Sequence, residues 1–209
     1  MVWMVTRRKL LTVAALPLAW RVALATDTAW ASEGAAGAFV KDLGDRALSL
    51  LATGDVSNGE LRERFRRLLD EGFDIPTIGR AVLGRYWRQA TAEQQTDYQA
   101  AFVDFIVVSY SIRFGAYAGE TFEVLKERPL DGGDTFVMTN ILRPDKPALR
   151  ADFRVRSRGG DNKIVDVVVE GISMTTTQRQ EFAAVVQREG VEGLIARLRD
   201  RTNELAATW

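Results

Sequence analysis

No segment constrains this chain more than AEQQTDYQAAFVDFIVVSYSIRFGAY, residues 92–117. It begins polar and then turns apolar nearly all round. At helical spacing Phe102, Phe105, Ile106, Ser109 and Ile112 form one stripe, and Val103, Val107, Tyr110, Phe114 and Tyr117 form a second. A helix on the surface of a globular domain needs a single apolar stripe. Two stripes require burial on two sides. Two readings satisfy that requirement: a central core helix covered by its neighbours, or a helix with one stripe in the core and the other lining an apolar cavity.

The residues before it supply the cover. Residues 35–53 place Phe39, Leu43, Ala47 and Leu50 on one face of an amphipathic helix. In NGELRERFRRLLDEG, Asn58 is the expected cap, Leu61, Phe65, Leu68 and Leu69 turn inward, and Gly72 ends the helix. Asp74 is the expected N-cap of the next helix, with Pro76 in its first turn. Thr91 opens the long helix, with Gln94 completing a capping box.

Beyond residue 118 the period changes from helical to alternating. A first strand begins at Phe122 and Val124, and DTFVMTNIL is the second. In ALRADFRVRSR, Leu149, Ala151, Phe153 and Val155 point one way and Arg150, Asp152, Arg154 and Arg156 the other. NKIVDVVVEGISM is the fourth strand, where Asp166 and Glu170 alternate with valines as a solvated face would. The GGD at 132–134 and GGDN at 159–162 read as hairpin turns. Short turns imply an antiparallel meander. Two short helices, near 178–188 and 191–201, follow it. The expected class is α+β: a curved four-stranded antiparallel sheet with N-terminal helices packed over it and two short C-terminal helices. Residues 32–118 are then mainly helical, 119–176 form the sheet and 177–203 the C-terminal helices.

The first 31 residues read as a targeting segment. A basic stretch at Arg7, Arg8 and Lys9 precedes an apolar run from Leu10 to Trp20, and both Ala23-Leu24-Ala25 and Ala29-Trp30-Ala31 fit a small-x-small cleavage pattern. Cleavage is expected after Ala31. Thr6-Arg7-Arg8-Lys9-Leu10-Leu11 also resembles a twin-arginine signal. Export to the periplasm is the expectation, and a chain without Cys suits it, since its stability there rests on no disulfide. The remaining chain has a slight acidic excess, against nucleic acid as a partner.

Composition narrows the chemistry further. A chain with neither His nor Cys has no Ser-His-Asp triad, no thiol nucleophile and no ordinary zinc site. No glycine-rich phosphate loop occurs, and neither a metal nor a cofactor is expected. An enzyme on a cone-shaped α+β fold would need a buried carboxylate with a perturbed pKa, for which Asp104 is the candidate. An adaptor that binds only protein would have no internal cavity.

Three blocks bear on that choice. VLGRYWRQATAEQQTDYQAAF (82–102), DVVVEGISMTTTQRQEF (166–182) and REGVEGLIARL (188–198) resemble, in order and spacing, the MlaC family, also called the toluene-tolerance Ttg2 family. The likeness runs over roughly residues 38–201, and the hopanoid-associated branch is similar too. Many members carry Asn-Tyr-Arg where this chain has Thr177-Gln178-Arg179, so the Arg is kept and the Tyr is lost. The resemblance implies a periplasmic lipid carrier with no enzymatic activity. It implies an apolar cavity for the acyl chains of a phospholipid or a hopanoid-type lipid. As partners it implies an inner-membrane MlaD-type ABC complex and an outer-membrane lipoprotein–porin complex.

The cavity so implied has an expected wall. From the long helix it takes Phe102, Phe105, Ile106, Val107, Tyr110 and Phe114. From the sheet it takes Val124, Val137, Ile141, Phe153, Val168, Ile172 and Met174, with Gly171 allowing a bend and Thr177 capping the next helix. Arg85, Arg88 and Arg179 are the expected head-group contacts, and Trp87 is a hinge, mouth or core residue. For each wall position plain core packing is the competing reading.

Overall fold

The computed structural model describes residues 34–52, 57–114 and 119–208, with only the backbone described for Leu51, Ala52, Arg113 and Phe114. The expected targeting segment and its cleavage sites lie outside the described residues, as does Tyr117. Helix α1 spans Ala35–Ala52, α2 Asn58–Gly72 and α3 Ile75–Leu83, followed by a 3-10 turn at Gly84–Arg88 and helix α4 at Ala92–Phe114. Strands β1 (Thr121–Pro129), β2 (Asp134–Arg143), β3 (Lys146–Arg158), β4 (Asp161–Val169) and β5 (Ile172–Ser173) follow, and α5 (Met174–Ala207) closes the fold. No described helix is long and apolar enough to cross a membrane.

The caps explain most of these boundaries. Asp74 accepts from Thr77 N at 3.1 Å, as expected. Thr91 and Gln94 satisfy each other's backbone N–H at 3.1 Å in a capping box. Helix α2 is capped by Ser57, which accepts from Glu60 N at 3.2 Å, and not by Asn58, which is already helical. At the start of α1 the cap comes from the sheet: Glu127 of β1 accepts from Gly37 N at 2.8 Å, placing a carboxylate on the positive end of the helix.

The sheet is a meander in the order β1-β2-β3-β4-β5, antiparallel throughout. It has five strands where four were expected. The fifth exists because the chain turns back on itself at Glu170 and Gly171, whose φ values of 50° and 81° make a two-residue loop of the kind that joins tight hairpins. Ser173, pairing with Val168, then caps α5 by accepting from Thr176 N at 3.1 Å. The cap is therefore Ser173 and not Thr177, and Met174 belongs to the helix, not to a strand. Asp166 holds this junction together, accepting from Ser173 Oγ at 2.7 Å and Thr175 N at 3.1 Å. The two expected C-terminal helices both form and run on from one another within α5, separated at Gly190, whose φ of 73° and ψ of 179° are non-helical.

One face of the sheet is apolar and carries the helices. Val137, Val155 and Ile164 are fully buried there, in one cluster with Val40, Leu43, Phe65, Leu68, Val82, Leu83, Phe102, Phe182, Leu194 and Ile195. Helix α1 lies on β1 and reaches β2 and β3, while α2, α3 and α5 meet β4. Helix α4 is placed differently: its main contacts are with α5, α2 and α3. Its polar-flanked first half carries Tyr98 and Phe102, which stack at 5.7 Å and meet the edge of Phe182 at 6.4 and 6.3 Å. The Tyr98 hydroxyl donates to Gly79 O at 3.0 Å, and burial pushes that phenol's pKa upward.

The opposite face is charged, and its pairs are organised around two buried carboxylates. Asp134 and Asp152 are each 2% exposed. Asp134 accepts from Arg154 Nε at 2.6 Å and Arg156 Nε at 2.8 Å. Asp152 accepts from Arg150 Nε at 2.8 Å and from Thr139 N at 3.1 Å, taking over a donor of the β2–β3 ladder. The arginines beside Asp134, Arg156 foremost, hold its pKa below the ordinary carboxylate range against the opposing effect of burial.

Candidate functional site

The second half of α4 faces a problem its first half has solved. Phe102, Val107 and Val108 are closed off, at 1%, 3% and 6% exposure. Phe105, Ile106 and Tyr110 pack against the core yet stay half-buried, as does Val103. The same state recurs on the inner face of the sheet at Phe122 and Val124 of β1, Phe153 of β3 and Val167 of β4, and on α1 at Phe39, Ala47 and Leu50. Apolar side chains of this size left half-covered forfeit roughly 25 cal/mol for each Å² not removed from water. Half-covered apolar groups on α1, α4 and the sheet, all packed against one core cluster, form the apolar surface that a ligand of the same character would need.

The register orders this wall. Phe122 pairs with Ile141, Val137 with Phe153, and Phe153 with Val167, which puts these side chains on one face of the sheet. Phe122 and Phe153 meet edge to face at 6.0 Å. Gly44 of α1 lies directly on the Phe122 ring, where a Cβ would come within 2.5 Å of a ring carbon. The absent side chain at Gly44 lets α1 approach β1 this closely.

Of the expected wall, Phe105, Ile106, Tyr110, Val124, Ile141 and Phe153 are half-buried, whereas Phe102, Val107 and Val137 are sealed in the core. Val168 pairs with Asp152, so it shares the charged face and lies opposite Phe153. A register irregularity between Arg154 and Val155 sets this alternation. Ile172 is 58% exposed at the sheet's edge. The side chain of Phe114 lies outside the described residues. Sequence reasoning left Phe39, Leu50 and Phe122 out of the wall, although the first two were legible as an apolar helical face, and of the two alternating faces of β4 it took Val168 where the structure turns Val167 inward.

The three expected head-group arginines lie on α5, or on the 3-10 turn that contacts it, and two are already engaged. Arg179 donates to the Ala81 carbonyl near the end of α3 at 2.7 Å, and its stem fills the space over Gly84. Arg85 donates to the Tyr86 hydroxyl at 2.8 Å and lies over that ring, drawing the phenol's pKa down. Arg88 is exposed at the end of the turn. Trp87 is a packing residue: it meets the edge of Tyr98 at 6.4 Å beneath the Arg80 guanidinium. A surface cleft of about 280 Å³ between α1 and α2 holds Arg46, Arg64 and Arg67, each ion-paired with a nearby glutamate.

The candidate named above for a buried acid lies on the surface. Asp104 is exposed and forms an ion pair with Arg66 of α2 at 2.5 Å. The buried carboxylates among the described residues lie on the face away from the apolar wall, Asp134 held by Arg154 and Arg156 and Asp152 by Arg150 and Thr139 N.

Known proteins resemble this chain over most of its described length. The family model described as MlaC protein matches residues 41–200. The intermembrane phospholipid transport system binding protein MlaC of Haemophilus influenzae is 24% identical over 136 residues, covering 63% of each chain. Toluene tolerance protein ttg2D of Pseudomonas putida is 24% identical over 129 residues, covering 61% of this chain and 60% of that one. The match thus spans just under two thirds of these curated relatives. Among solved structures, the phospholipid-binding protein from Ralstonia solanacearum in complex with a phospholipid superposes with a TM-score of 0.70 at 27% identity, over 82% of this chain and 98% of that one.

Proposed function

The chain belongs to the MlaC family, and on that premise we propose that it is a periplasmic carrier that holds phospholipid acyl chains against the half-buried apolar wall. The observation that carries this reading is that Phe105, Ile106 and Tyr110 on α4 and Phe122, Val124, Phe153 and Val167 on the sheet all pack against one core cluster and all stay incompletely covered. Each side leaves large apolar groups incompletely covered, and α4 makes its main contacts with helices. The Ralstonia relative, similar over nearly its whole length, was solved with a phospholipid bound.

The physics of transport fits such a wall. An acyl chain crossing water is opposed by roughly 0.8 kcal/mol for each exposed CH₂. A carrier removes that cost by enclosing the chains, and it has to form no bond. Capture and release need only a wall whose affinity lies between those of two membrane complexes. The inner-membrane MlaD-type ABC complex and the outer-membrane lipoprotein–porin complex are the proposed donor and acceptor.

Native mass spectrometry of protein purified gently from the periplasm tests this. A discrete added mass of one phospholipid, lost on delipidation together with several degrees of melting temperature, is the expected result. A hopanoid mass would move the ligand assignment to that class. A single lipid-free mass that does not shift when phospholipid is added would overturn the carrier reading.

A further inference from the structure

One polar atom lies on the apolar stripe of α4 without a partner. Ser109 is one turn beyond Phe105 and Ile106, in the half-buried part of the helix. Its Oγ is shut off from solvent and has no hydrogen-bond partner among the described residues. Other hydroxyls of the same helix turn back onto the backbone: Thr96 donates to Ala92 O at 3.0 Å and Ser111 to Val108 O at 3.1 Å. That back-bond is the ordinary fate of a helical hydroxyl. A buried hydroxyl that forgoes it costs free energy, which a bound acceptor would restore.

We propose that Ser109 donates to a carbonyl oxygen of an ester linkage in the bound lipid, fixing where the acyl chains begin along the wall. The proposal rests on the phospholipid-carrier reading and adds a positioning contact to it. The surroundings select the chemistry. Phe102, Phe105, Ile106 and Ile112 share the stripe and none carries charge, so a phosphate there would be an uncompensated buried anion. An ester carbonyl is neutral, accepts one hydrogen bond and sits at the top of the acyl chains. The contact therefore sets depth: carbons below the ester run along the half-buried aromatics, and the phosphate stays beyond the stripe.

The test compares two lipids on the delipidated chain: dipalmitoyl phosphatidylglycerol and its dihexadecyl ether analogue, which lacks both carbonyls. Wild type is expected to bind the diester more tightly by roughly threefold to tenfold, the worth of one neutral hydrogen bond. Ser109→Ala is expected to lose that preference while binding the ether lipid as wild type does. Its lipid-free melting temperature should equal or exceed that of wild type, because an orphan hydroxyl is gone. Ser111→Ala, which removes a hydroxyl already bonded within the helix, should keep the preference. A Ser109→Ala protein that still prefers the ester, or a wild type that binds both lipids equally, would overturn the assignment while leaving the carrier intact. A wild type that binds neither lipid would overturn both.

Discussion

Adjacent residues on α4 offer a paired test of where space exists inside this protein. Val107 is 3% exposed and belongs to the buried cluster, whereas Ile106 is half-buried and only packs against that cluster. A Trp at Val107 has no free volume to enter and must displace its neighbours, at a cost of about 1–3 kcal/mol. For a domain of this size each kcal/mol corresponds to about 2–4 °C, so Val107→Trp should melt about 2–12 °C below wild type in the lipid-free state. Ile106→Trp adds comparable bulk toward the incompletely covered wall. Its lipid-free melting point should stay close to wild type while the lipid-to-protein ratio after purification falls sharply, because the ring occupies acyl-chain volume. Differential scanning calorimetry on delipidated protein and phosphate analysis of the extract give both numbers. An Ile106→Trp protein that melts as low as Val107→Trp would refute the reasoning, since the two faces would then be equally full.

Other outcomes follow from contacts that the fold depends on. Asp134→Asn should cost about 2 kcal/mol at neutral pH, because Arg154 and Arg156 lose a charged acceptor. The Asp134 pKa is depressed in the folded state, so its contribution is complete above the ordinary value of 3.8 and fades as pH falls through the lower folded value. The stability gap between wild type and Asp134→Asn, followed by urea denaturation across pH, should therefore be flat near neutrality and close only below about pH 3.8. Glu127→Ala removes the carboxylate from the start of α1 and should lower stability by about 1 kcal/mol. Hydrogen exchange should quicken in the first turn of α1 and leave α4 unchanged.

The legible parts of this fold are those where local chemistry decides. The alternation in ALRADFRVRSR, the capping box at Thr91 and the cap at Asp74 depend on residues a few positions apart, and each appears as read. What escaped depends on partners distant in sequence. Glu127 looks like a solvated residue of an edge strand until α1 is set across it, 90 residues away. Asp152 alternates with arginines as a wet face would, Asp134 follows a Gly-Gly turn, and only cross-strand pairing shows that both are enclosed. At the candidate site, periodicity picked out both stripes of α4 but had no means of telling the sealed Val107 from the half-covered Ile106. That difference depends on which elements lie opposite, and it also placed Val168 on the wrong face, since a single irregularity in β3–β4 pairing sets which valines point inward.

Acyl chains resting between the α4 stripe and the inner face of the sheet are the central claim, and photocrosslinking reads their position directly. Delipidated protein would be loaded with a phosphatidylglycerol carrying a diazirine in mid-chain, irradiated, digested and sequenced by mass spectrometry. The account predicts adducts on Phe105, Ile106 or Tyr110 of α4 and on Phe122, Phe153 or Val167 of the sheet. Adducts confined to the charged face, at Arg150, Arg154 or Val168, or to the cleft between α1 and α2, would contradict it.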